Sequence, residues 1–153
     1  MRFVAGVVTV FIMGLFMTTQ VVSAADPPKG FRNLKWGDPP PVTLKKFSGP
    51  TDGVTMYVPS GGKKPQDLYD VPVAEEAYYF SKAGLYSADA WIDGKENYDK
   101  MKRALTKAFG DPAFSNEKSN IYKWKWPNRK IEIQLYYQVK FSRTSVTFSN
   151  KGI

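Results

Sequence analysis

The chain contains no cysteine and no histidine in its 153 residues. Those two absences exclude a good deal of chemistry. Without cysteine there is neither a disulfide nor a thiolate nucleophile. Without histidine there is no Ser-His-Asp triad and no Cys-His pair. The usual zinc, copper and iron sites lose their main ligands as well. Carboxylate pairs, a Ser-Lys dyad or an all-oxygen metal site remain, and no cofactor is expected.

Long apolar runs are also scarce, and the one that exists is terminal. Met1-Arg2 forms a short positive start, and FVAGVVTVFIMGLFM runs from Phe3 to Met17. Polar Thr18, Thr19 and Gln20 follow, then the small-residue site VVSAAD. This is the pattern of a secretory signal peptide over residues 1–24, with cleavage after Ala24 or Ala25. Retention as an anchor would need the apolar stretch to reach Val22, the roughly 20 residues of a span. No basic stop-transfer cluster follows it. The expected location is periplasmic or secreted, with no integral membrane span after cleavage. The remaining chain is long enough to bury a core without staples.

Acidic residues are scarce at the other end. From Lys118 to Ile153 there are eight lysines and arginines against one acid, Glu132, whereas residues 25–117 balance at 13 of each sign. An excess of this kind points to an anionic partner.

Local patterning predicts the elements. Residues 25–53 read as an extended, Pro-rich lead-in, with one short helical turn at Thr43–Phe47. Residues 54–153 read as a single domain. VTMYV (54–58) is a strand, and SGGKKPQD after it is a loop. AEEAYYFS (74–81) and LYSADAWID (85–93) are paired strands around Lys82-Ala83-Gly84. Lys95–Phe109 is a helix, with Tyr98, Met101, Leu105, Ala108 and Phe109 on one stripe. Gly110 and Pro112 stop it, and Asp93 is placed to cap its start. Three strands follow, near 120–126, 131–140 and 143–149. The fold class is α+β: an antiparallel sheet of about six strands with one main helix on one face. The order helical turn, three strands, helix, three strands adds the expectation of two similar halves.

NIYKWKWPNRKIEIQLYY (120–137) alternates bases with aromatics and invites a nucleic-acid reading. Strand geometry divides it. Successive side chains point to opposite faces, so Tyr122, Trp124 and Trp126 share one side and Lys123 and Lys125 the other. A two-residue turn at Asn128-Arg129, or a loop from Pro127 to Lys130, sets Trp126 opposite Ile131, Trp124 opposite Ile133 and Tyr122 opposite Leu135. A turn at Ser142-Arg143 would then pair Val139 with Val146 and Tyr137 with Phe148. The tryptophans become core against the helix stripe. Base-stacking platforms need rings and cations on the same face, so no nucleic-acid partner is expected. Lys123, Lys125, Tyr136, Gln138 and Lys140 are left as the contact face.

No catalytic group assembles from the spacing. Glu75 and Glu76 are adjacent on a strand and point apart. Asp89 and Asp93 share a face, but Asp93 suits a turn. WIDGKENYD lacks the ligand spacing of a calcium loop, and SGGKKP lacks GxxxxGK[ST] and a following helix. A hydrolase acting on envelope sugar would need two carboxyls roughly 5–10 Å apart.

FRNLKWGD, KAFGDP, and YKW followed by IEIQLYY together resemble a family of small exported bacterial proteins of unknown function. Its pattern is an F-R-x-L-x-W-G opening, a helix ending F/Y-G-x-P and a Trp-containing C-terminal hairpin. The resemblance spans nearly all of 31–149 and implies no activity. The second half is also similar to the helix–three-strand unit of the small lipoprotein of the outer-membrane β-barrel assembly machine, a unit found duplicated in proteinaceous β-lactamase inhibitors. The lipid-accepting cysteine and a second clear helix are missing here. That similarity implies a non-catalytic, protein-binding fold. The functional expectation is therefore an exported, non-enzymatic domain that binds an envelope protein or an anionic envelope component.

Overall fold

A computed structural model describes residues 25–49 and 52–153; the expected signal peptide, 1–24, lies outside them. Two short strands, β1 (Gly30–Phe31) and β2 (Leu34–Lys35), form a minimal hairpin. Then come β3 (Leu44–Lys46), β4 (Thr55–Pro59), β5 (Glu75–Ser81) and β6 (Gly84–Asp93). Helix α1 (Lys95–Phe109) is followed by β7 (Phe114–Asn116), β8 (Ile121–Trp126), β9 (Ile131–Gln138) and β10 (Arg143–Asn150). Strands β3 to β10 make one antiparallel sheet in the order β3-β4-β5-β6-β10-β9-β8-β7. The fold is thus α+β with one helix among the described residues, but the main sheet has eight strands rather than about six. No helix among these residues is long and apolar enough to cross a membrane.

Thr43–Phe47 is not a helical turn. Leu44–Lys46 pairs with β4 as an edge strand, Leu44 lying opposite Pro59. Among the described residues no α-helix precedes β6, and the expected pair of helix–three-strand halves is not formed. Phe114–Asn116, ahead of the three strands expected after the helix, is the opposite edge strand.

Alternation builds the core. One face of the sheet carries Tyr122, Trp124 and Trp126, then Ile131, Ile133, Leu135 and Tyr137, then Thr144, Val146 and Phe148, all buried. Helix α1 lies on this inner face, touching β6, β9 and β10. It buries Tyr98, Met101, Leu105 and Phe109; Ala108, expected on the same stripe, is exposed. Tyr98 packs on Tyr137 with ring centroids 5.0 Å apart, and Phe109 meets Trp126 edge-on at 5.5 Å. The Trp124 indole N–H donates to the Gly110 carbonyl (2.7 Å), tying the helix end to the sheet.

Beyond the helix, the lead-in completes the cover. Phe31 is 2% exposed and packs against Tyr78 and Phe148. Arg32 forms a buried ion pair with Glu76 and also donates to the Gln66 and Asp67 carbonyls. The Trp36 indole donates to Pro28, and the Gly37 N–H donates to Leu85 while Asp38 accepts from the Leu85 N–H. The FRNLKWGD stretch is thus a clip onto the β5–β6 hairpin. At the far end, the Trp126 indole donates to the Ala25 carbonyl at 2.6 Å.

Two hairpin registers met different fates. β8 and β9 pair as expected, with Trp126 opposite Ile131 and Trp124 opposite Ile133, around the loop 127–130. β9 and β10 do not. Val146 pairs with Leu135, Phe148 with Ile133, and Thr144 with Tyr137. The chain turns at Val139–Ser142 instead, where Val139–Phe141 make a 3-10 turn and Ser142 closes it with φ 48°. The partners move by four residues, an even number, so the paired residues keep their expected faces, while Val139 and Lys140 leave the strand for the turn. Asp93 also differs from expectation: Gly94 is the N-terminal cap residue with no side-chain cap bond, and Asp93 points to Arg143.

Candidate binding surface

Among the described residues no helix lies over the outer face of the sheet, and its residues follow from the same registers. On β8, β9 and β10 it presents Lys123 and Lys125, Glu132, Gln134, Tyr136 and Gln138, and Arg143, Ser145 and Thr147. On β5 and β6 it presents Glu75, Ala77 and Tyr79, then Ser87, Asp89 and Trp91.

Of the five residues expected to form the contact face, four lie on it. Lys123 pairs across to Gln134 and Lys125 to Glu132; Tyr136 lies between Ile121 and Ser145; Gln138 neighbours Arg143. Lys140 does not join them. It sits in the exposed 139–141 turn, with its ammonium 5.5 Å from the Phe141 ring centroid. A third cation takes its place, since Lys151 comes within 3.5 Å of the Glu132 carboxylate. Lys125 is 3.8 Å and Lys123 4.0 Å from the same carboxylate. Three ammonium groups around one acid leave this end of the face with net positive charge. At such separations near a surface each pair is worth about 1 kcal/mol or less, so the lysines are held in place weakly and can reorient toward a larger anion.

The middle of the face is polar and internally bonded. Thr147 donates to Asp89 at 2.6 Å. Burial, with the adjacent Asp89 carboxylate, pushes the Tyr79 phenol well above its ordinary ionisation range.

The other end is apolar. Met56 and Val58 on β4, Trp91 on β6 and the exposed Phe47 line a groove of 630 Å³, walled by the Lys63–Pro65 loop. Arg143 bridges the two ends: it bonds Glu75 at 2.7 Å, reaches Asp93 at 3.6 Å, and sits 5.9 Å from the Trp91 ring centroid. Neither Trp91 nor Phe47 stands out in sequence reasoning. The signal for Trp91 was present, because it shares strand parity with Ser87 and Asp89, which marks a large ring on the polar face. Phe47 was obscured by reading its segment as helical.

Glu75 and Glu76, adjacent in sequence, do not come together as a pair. Glu75 and Glu76 point to opposite faces, Glu75 to Arg143 and Glu76 to Arg32 and the Tyr78 hydroxyl. Asp99 pairs with Lys95 and Glu96 with Lys100, each one helical turn apart. Among the described residues no three acids converge as a metal site. Compared with family models, curated proteins and solved structures, the chain shows no match. The surface must therefore be read from its own chemistry.

Proposed function

We propose that this is an exported, non-enzymatic binding domain whose contact surface is the outer face of the sheet, and that the partner is an anionic component of the cell envelope. The observation that carries the reading is the uncovered group of Lys123, Lys125 and Lys151 around the single acid Glu132, flanked by Tyr136, Gln134 and Gln138. Cations beside neutral hydrogen-bonding groups attract a polyanion and then orient it. The signal pattern of residues 1–24 supports export. Cleavage after Ala24 keeps the Ala25 carbonyl that Trp126 uses, which favours that site over cleavage after Ala25.

The test is salt-dependent binding of the mature chain to phosphatidylglycerol vesicles and to isolated cell envelope. Each lysine near an anionic surface contributes about 1 kcal/mol, so Lys123→Glu with Lys125→Glu should weaken binding more than about tenfold. Lys140→Glu, off the face, should change it far less. Wild-type binding by the double variant on both supports would sink the proposal.

A further inference from the structure

The groove at the other end of the outer face has a chemistry of its own. Its apolar lining comes from Met56 and Val58 of β4, Trp91 of β6 and Phe47, which is 68% exposed. β4 and β5 pair only from Thr55–Phe80 to Tyr57–Tyr78, so the two strands part where Val58, Pro59, Glu75 and Glu76 line the groove. Apolar contact with these side chains is what the groove offers a ligand's tail.

The charges at the rim are unequal. Glu75 and Glu76 both line the groove, but Arg143 holds one and Arg32 the other. Lys63 and Lys64, in SGGKKP, have no acid within ion-pair distance among the described residues. The groove thus has an apolar floor and two unneutralised cations on one wall, in a volume of 630 Å³. That volume lies within the roughly 300–1,000 Å³ of small-molecule sites.

We propose that this groove binds a single-chain anionic amphiphile, its tail along Met56, Val58 and Trp91 and its head group against Lys63 and Lys64. The site is separate from the Lys123–Lys125 cluster and does not depend on it.

Calorimetric titration of the mature chain with laurate below its micelle concentration tests this, beside dodecyl maltoside, with the same tail and an uncharged head, and acetate, with no tail. Laurate should saturate one site per chain, acetate should show no binding, and dodecyl maltoside should bind at least about tenfold more weakly, a charge-assisted contact being lost. Lys63→Glu with Lys64→Glu, both exposed and without effect on packing, should cost laurate a similar factor and leave dodecyl maltoside unchanged. Lys123→Glu with Lys125→Glu should leave laurate binding intact, which separates this site from the envelope-binding face. Equal affinity for laurate and dodecyl maltoside, indifference to the Lys63/Lys64 reversal, or no saturable binding would each overturn the proposal. So would displacement of laurate by an uncharged apolar peptide that binds more tightly.

Discussion

Trp124 has no exposed surface, and its indole N–H closes a hydrogen bond to the end of α1. Replacing it by alanine removes both the ring and the indole link from β8 to Gly110. Trp124→Ala should destabilise the fold by about 3–5 kcal/mol, the range for large buried aromatics, read from urea unfolding; wild-type stability would refute its burial. Much at this scale was legible. The facing of Trp124, Trp126, Ile131 and Ile133 follows from parity alone, because large residues alternate with polar ones. Glu76 was not legible. It is 7% exposed and paired with Arg32, 44 residues away, and no local pattern announces that an acidic side chain faces inward. Asp93 was misread for a related reason: a residue that can cap a helix can equally satisfy a cross-strand arginine.

At the scale of elements, the lead-in clip depends on a close backbone approach. A Cβ on Gly84 would lie 2.0 Å from the Gly37 carbonyl oxygen, and Gly84 has φ +105°. The obstruction is backbone on both sides, so no rotamer relieves it. Gly84→Ala should cost roughly 2 kcal/mol or more from strain and loosen residues 29–38 first. Hydrogen exchange of the Gly37 and Leu85 amides would show it, and unchanged protection would contradict it. The two C-terminal turns show where element reading succeeds and fails. Both are 3-10 turns closed by a left-handed residue, Lys130 or Ser142. PNRK announces a turn through its proline and polarity. VKFS does not: Val139 and Phe141 read as strand yet are 68% and 65% exposed. The missed strands, β3 and β7, are both three-residue edges. Short edge strands carry little alternation to detect, and their small size, with Lys45 and Lys46 on β3, suits a sheet that must not pair with another.

At the scale of the molecule, one property follows from its many buried phenols. Tyr78, Tyr79 and Tyr98 are all pushed above the ordinary tyrosine range near 10, chiefly by burial; Glu76 adds to the effect at Tyr78 and Tyr122 at Tyr98. In the unfolded chain these phenols lose protons near pH 10, whereas the folded chain keeps them. Above pH 10 the unfolded state therefore binds fewer protons, and stability must fall as pH rises. Tyrosinate absorbance from these residues should appear together with loss of the near-ultraviolet dichroism. Full titration near pH 10 with native dichroism retained would rule this out. The strand order has a consequence of another kind. β10 is the last of the described strands in chain order, yet it lies in the interior of the sheet, between β6 and β9. Without it the two blocks of strands, β3 to β6 and β7 to β9, have no common partner and both present bare edges. Closure of the sheet must therefore wait for β10, however early the hairpins on either side of it have formed.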